Sequence, residues 1–406
     1  MDRAVPALLA AMVVLASAGA VVGVSPPGAS DHRAAGTVDG ISENTTDVLV
    51  LESIDASGFD RADLVVTRAV DAQSGSLVES FEQQRVTEAV AQADSEADER
   101  EAIRNATDEV DRRTRALVED ERTAREAFIA GELSAESYLA TLGQVHARAS
   151  SLEATVRAID DLDQVSDEDE RRAQIRAELS TLQGPVRAEL AAALQGDGQS
   201  KRTFVGVSAD GVTLATLSET EYVRETVRTD NRDDDVGRLT FDEAETRFAE
   251  LYPWASANKQ RISMGALGSD VYVVEYRHEH GTIDAALDAS TGATFREAQT
   301  KSLDDTPATD SQWIESGDLV VGVSDTYPGG PVRVDVTNAT GAPVAADVTA
   351  NGTAVGETTT RDGLVWAISP AEEYTVTVTT EDTTVEVRVD PASNDLEPVD
   401  GTLTQG

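Results

Sequence analysis

The sequence predicts a multidomain chain: an α-helical bundle or coiled-coil hairpin, then an α+β unit with a helix on an antiparallel sheet, then an all-β sandwich. Three observations carry this. Residues 76–196 are dominated by Ala, Glu, Arg and Leu, with almost no Gly and a single Pro. From Thr203 the hydrophobic period becomes two, interrupted by one amphipathic helical stretch at Thr240–Leu251. From Leu319 six short alternating runs are separated by turn residues. A length of 406 residues fits two or three domains.

Composition bounds function first. There are 75 Asp+Glu against 33 Lys+Arg, a formal charge of −42, and only Lys201, Lys259 and Lys301 are lysines. The acidity is spread along the chain, and such Lys-poor surfaces resemble those of proteins from extreme halophiles. There the Debye length falls to about 3 Å at 1 M salt and self-repulsion is screened. Without a basic stripe to displace phosphate counterions, nucleic acid is not an expected partner. No cysteine is present, which excludes disulfides, thiolate metal sites and a thiol nucleophile.

From Ala4 to Ser30 no side chain is charged, and Arg3 precedes the run. Residues 1–24 read as a signal peptide or an N-terminal membrane anchor. Export follows in either case, with membrane attachment only through this segment. Four of the seven asparagines (Asn44, Asn105, Asn338 and Asn351) sit in Asn-x-Thr triplets, an excess that fits N-glycosylation of an exported chain. Residues 25–46 read as a linker and 47–75 as a short mixed segment, with Val48–Leu51 a strand and 64–70 of unclear period.

Within 76–196, Tyr138, Leu142, Val145, Ala149, Leu152, Val156 and Ile159 step 4-3-4-3-4-3, a heptad seam. Ile103, Val110, Leu117, Ala124 and Phe128 supply a preceding helix, and Ile175, Leu179, Leu182 and Val186 a following one. Gly131 ends the first helix, Ser134 caps the second, and Ser166–Asp169 resembles a capping box for the third. Gly184-Pro185 kinks or restarts the last helix. The short connections favour an intramolecular bundle over a dimerising coiled coil.

In 201–300, Thr203–Val207 and Val212–Leu217 form a hairpin around Asp210-Gly211, and Glu221–Arg228 adds a strand. Thr240 and Glu243 make a capping box, and Phe241, Ala244, Phe248 and Leu251 share one helical face. Pro253 stops that helix. Val271–Tyr276 and Gly281–Asp288 are strands, and Gly292 supplies a positive φ in the last turn. The helix at Thr240, the strand around Tyr272, Asp288-Ala289 and Thr291-Gly292 together resemble the PepSY domain, a small extracytoplasmic module also found in protease propeptides. The resemblance covers about 60 residues. It implies a helix packed on an antiparallel sheet and a role towards an exported protease or another surface protein, though no protease domain follows here.

Residues 301–317 read as a linker and 318–390 as an Ig- or transthyretin-like β-sandwich. Its Gly341-Ala342-Pro343-Val344 and Thr359–Gly363 phrases resemble carboxypeptidase-regulatory or transthyretin-like surface domains, usually accessory modules. Residues 391–406 read as a disordered tail. As a whole the chain resembles exported haloarchaeal proteins.

Chemistry is sparse. His278-Glu279-His280 is spaced for two metal ligands on one strand face, but no third ligand is identifiable, and an exposed strand face is the simpler expectation. His146 reads as a boundary residue of its helix. Asp233–Asp235 lacks the Gly and Glu offsets of a calcium loop. No nucleophile elbow, phosphate loop or dinucleotide fingerprint is present, so neither an enzyme nor a cofactor is expected.

Overall fold

The computed structural model describes residues 37–38, 46–61, 84–85, 87–162, 168–233, 239–307, 312–324, 327–359, 361–391, 395–398 and 402–405. The N-terminal apolar stretch, Asn44, residues 64–70 and Asp234–Asp235 lie outside them.

Two long helices, α1 (Glu96–Ile129) and α2 (Ala135–Leu162), pack with α3 (Asp169–Thr181) and α4 (Pro185–Gln195). All seven seam residues of α2 are buried: Val145, Ala149, Leu152, Val156 and Ile159 against Ile103, Val110 and Leu117 of α1 and Ile175, Leu179 and Leu182 from α3 and its C-terminal cap, and Tyr138 and Leu142 in the cluster that holds Phe128 of α1 and Val186 and Leu190 of α4. The bundle therefore closes within one chain. Ser134 caps α2, its Oγ accepting from the Ser137 N–H at 3.2 Å. The cap of α3 is Glu168 rather than Ser166, which lies outside the described residues, and it makes no side-chain cap bond. Gly184-Pro185 restarts the chain: Gly184 is the extended N-cap and Pro185 the first residue of α4.

Beside the bundle lies an eight-stranded antiparallel sheet in the order β3-β4-β5-β6-β10-β9-β8-β7. Its strands are β3 (Ala56–Asp60), β4 (Thr203–Ser208), β5 (Gly211–Leu217), β6 (Glu221–Arg228), β7 (Arg261–Leu267), β8 (Val271–His278), β9 (Gly281–Asp288) and β10 (Thr294–Ser302). The short mixed segment thus belongs to the sheet, because β3 pairs with β4 from Ala56↔Val207 to Asp60↔Thr203. A two-residue strand, β2 (Val48–Leu49), pairs with β1 (Thr37–Val38), which lies inside the expected linker.

The sheet has a different cover on each face. On one, Val205, Val207, Val212, Leu214, Val223 and Val227 meet Leu139, Leu142, Val186, Leu190 and Leu194 of the bundle. On the other, Tyr272, Val274, Tyr276, Ile283 and Leu287 meet α5 (Phe241–Leu251) and α6 (Pro253–Asn258). Burying Phe248 fully contributes about 1.5–3 kcal/mol. Phe241 departs from its expected place on the inner face. It is the first residue after the cap, where the helix has not yet turned onto the sheet, and it stays 45% exposed.

The sandwich is larger than the sequence suggests. One sheet runs β16-β13-β12-β11-β20 and the other β15-β14-β17-β18-β19. Its strands are β11 (Gln312–Ser316), β12 (Leu319–Ser324), β13 (Pro331–Asn338), β14 (Asp347–Ala350), β15 (Thr353–Glu357), β16 (Leu364–Ile368), β17 (Tyr374–Thr379), β18 (Thr384–Asp390), β19 (Asp395–Pro398) and β20 (Thr402–Gln405). The expected linker at 301–317 therefore carries strand near both ends: β10 reaches Ser302, and β11 buries Ile314 in the sandwich core. The expected disordered tail supplies β19 and β20, which pair with the otherwise open edges of β18 and β11 and satisfy their backbone groups.

Candidate functional site

The resemblance-derived residues converge at one end of the unit built from α5 and β7–β10. Thr240 caps α5 reciprocally: its N–H donates to Glu243 Oε2 at 2.8 Å and its Oγ1 accepts from the Glu243 N–H at 3.4 Å. The Thr240 hydrogen bonds hold the Glu243 carboxyl below its usual range. Tyr272 donates its hydroxyl to the Leu239 carbonyl at 2.8 Å, beside that cap. Asp288 Oδ1 accepts from the Ser290 and Thr291 N–H groups, each at 3.0 Å, and tightens the turn after β9. Thr291 Oγ1 reaches the Asn231 carbonyl at 2.8 Å, and Gly292 adopts φ 66°, as its place in the turn demands. Arg247 of α5 donates Nε to the Gly292 carbonyl at 2.8 Å, so helix and turn are tied directly.

At the opposite end of β8 the two histidines overturn the expectation of an exposed face. His278 and His280 are only 5% and 6% exposed. Trp254 of α6 stacks on His280 at 4.8 Å and meets His278 edge-on at 5.2 Å. The His280 N–H donates to His278 Nδ1 at 3.2 Å, which assigns the His278 ring hydrogen to Nε2. Burial depresses His278 to about 4 and also lowers His280. Both rings are thus neutral parts of an aromatic wedge. Among the described residues no group of three or more His, Asp or Glu side chains is placed to hold a metal ion. His146 of α2 is half-buried, as a boundary residue should be, and its ring is depressed to about 4 by burial.

Two buried carboxylates were not singled out from sequence. Glu225 on β6 faces the start of α4, where Oε2 accepts from the Val186 N–H at 2.8 Å and Oε1 lies 3.4 Å from Arg187 Nε. Glu297 on β10 accepts from Tyr252 Oη at 2.7 Å and the Leu49 N–H at 2.8 Å, with Arg224 Nη1 at 3.4 Å. Burial pushes both carboxyls up, against the pull of these donors. The available signal was adjacent Arg224-Glu225 within an otherwise strand-like run. Each charge ties a separate element to the sheet, and neither opens on a cleft.

Two hollows lie on the bundle. One of about 420 Å³ is lined by Arg85, Glu101, Asn105, Glu109 and Arg113, and one of about 360 Å³ by His146, Ser150, Ala188 and Gln195. Of the glycosylation triplets, Asn105 is exposed on α1 while Thr107 is buried. Asn338 Oδ1 is engaged by the Thr340 and Ala342 N–H groups. Asn351, with φ 48°, accepts from the Thr375 N–H at 3.0 Å. Among the described residues no helix is long and apolar enough to cross a membrane.

Fold and site define a multidomain chain in which a helical region precedes antiparallel β domains. Three family models match in tandem: a domain of unknown function (DUF7096) over residues 1–199, a family of unknown function (DUF7094) over 203–307, and an archaeal fibronectin-III type-like domain over 311–387. The β-sandwich expected over 318–390 is thereby met, with a fibronectin-III type-like match in place of the carboxypeptidase-regulatory or transthyretin-like one. No curated protein and no solved structure matches the chain. The first boundary cuts across the sheet, because β3 lies in one matched segment and its partner β4 in the next.

Proposed function

We propose that this is a non-enzymatic, exported cell-surface protein of a halophile, which binds another surface protein through the α5/β7–β10 unit, and that this unit is PepSY-like. The observation that carries the reading is Phe241. The capped start of α5 holds its ring edge-on to Tyr272, with centroids 6.0 Å apart, yet leaves it about half exposed. A rigidly mounted, half-exposed aromatic next to an open strand is suited to act as a binding anchor. The uncharged N-terminal stretch supports export, and the charge of −42 with three lysines supports life in molar salt.

An exported protease is the partner class that the PepSY resemblance implies. A photo-reactive amino acid at position 241, activated on cells in molar salt, should give one dominant adduct identifiable by mass spectrometry. Adducts no stronger than those from position 386, on the exposed side of β18, would sink the reading. A second reading, a structural envelope component that displays domains, is favoured by the length of α1: 34 residues, about 51 Å. That reading expects the protein to be abundant in the surface layer with no specific adduct.

A further inference from the structure

We infer that β7 is a self-association edge, and that two copies of the chain pair there antiparallel about a two-fold axis, joining their sheets into one. This goes beyond the partner reading above, because the occupant is a second copy.

β7 ends the eight-stranded sheet, and among the described residues no strand pairs its outer side. Open edges are normally blunted with charge, proline, a bulge or a cover. After Arg261, its first residue, β7 carries no charge, proline or bulge, and at its exit Leu267 packs against the cluster that holds Ala177 of α3. Ile262-Ser263-Met264-Gly265-Ala266-Leu267 is uncharged and free of proline in a chain that is 27% charged. Its seven pairs with β8 run without a register shift, and every residue of the strand is half-buried or exposed. The opposite edge, β3, meets the start of α2, where Gly58 approaches Ala135.

The charge pattern selects the occupant. The entry to β7 is basic: Lys259 and Arg261 are exposed, and Arg261 is in no ion pair among the described residues. Its exit is acidic: Glu170 of α3 accepts from the Ser269 N–H at 3.0 Å, and Asp270 follows. An antiparallel copy lays one end against the other. With the axis at Met264 all seven residues overlap, and Arg261 falls opposite the partner's Leu267, on the same face as the partner's Glu170. On the α5 face Ile262 meets the partner's Ala266, and Met264 meets itself. On the other face Ser263 meets the partner's Gly265. Phe241 stands over the same margin through Tyr272, which pairs with Ala266. In molar salt the mutual repulsion of two acidic chains is screened beyond a few ångströms.

The test is sedimentation velocity of the full chain in molar KCl, with detergent if the N-terminal segment is retained, over a concentration series. A monomer–dimer equilibrium is expected. Met264→Lys, with its fold checked by circular dichroism, should weaken association at least about tenfold by setting like charges opposite each other. Arg261→Glu should also weaken it, and Arg261→Glu combined with Glu170→Arg should restore it, which a merely misfolded edge would not do. A monomer at every concentration up to about 100 μM overturns the inference. A dimer indifferent to all three variants overturns it as well. Neither result bears on cross-linking from position 241 to a different protein.

Discussion

The imidazole of His278 gives up water on folding and gains no acceptor for its Nε2 hydrogen. Its folded pKa of about 4 lies below the ordinary 6.5, so the unfolded chain takes up the proton first as pH falls. The contribution of His278 to stability is therefore complete above about 6.5 and is lost towards about 4. The raised carboxyls of Glu225 and Glu297 act with the opposite sign, since the folded state binds their protons at higher pH than the unfolded chain does. Only a difference measurement isolates the histidine. The fall in Tm between about pH 6.5 and 4 should be shallower in His278→Gln than in the parent. Parallel slopes would show that His278 is not the titrating group. At this scale the sequence was informative where the determinant is local, as with the Thr240–Glu243 cap or Gly292. It misled at His278 and His280, because the ring that buries them, Trp254, is brought over by α6 and no spacing rule links the two segments.

Among elements, α4 has a tightly constrained seat. Its N-terminus points at Glu225, and a Cβ on Gly184 would stand 2.0 Å from Glu225 Oε2. Gly184 has extended backbone that any residue adopts, so the demand is for space rather than for conformation. Gly184→Ala must displace the carboxylate, loosen its bonds to Val186 and Arg187, and cost about 1–3 kcal/mol. Denaturant titration in molar salt reads this as a lower midpoint, and an unchanged midpoint would refute the tight seat. The break itself was legible as Gly184-Pro185, because proline fixes φ and cannot donate. The seat was not, because Glu225 comes from another element. Conversely, the α2 seam was legible to the residue, since a heptad repeat reports burial within one helix.

At the scale of the whole molecule, the three predicted segments do not behave as separate beads. The Tyr327–Gly330 turn of the sandwich docks on the sheet: Tyr222 donates Oη to the Gly329 carbonyl at 2.6 Å, and Arg224 lies over the Tyr327 ring at 5.2 Å. Trp366 and Ile368 pack against the cluster of Phe204, Ala215 and Tyr222. Gly329 has φ 76° and leaves only 2.7 Å between its missing Cβ and Phe204. Gly329→Ala should therefore undock the sandwich while each part stays folded, raising the radius of gyration in X-ray scattering without changing far-UV circular dichroism. Superposable scattering curves would count against a specific dock. Composition and periodicity gave the order of helices, sheet and sandwich correctly, but docking depends on single glycines and tyrosines whose partners are remote in the chain.

The pairing of β3 with β4 sets an order of events for a newly made chain. β3 emerges early, yet its partner follows only after residues 61–202, so the strand must wait until the entire bundle has been delivered. Such a long-range closure makes for slow folding and leaves hydrogen-bonding edges bare in the interval. Placing the bundle as an excursion between two adjacent strands also means that the helix ends away from the sheet can lengthen or shorten over generations with little cost to the rest, because closure entropy grows only slowly with the size of the loop.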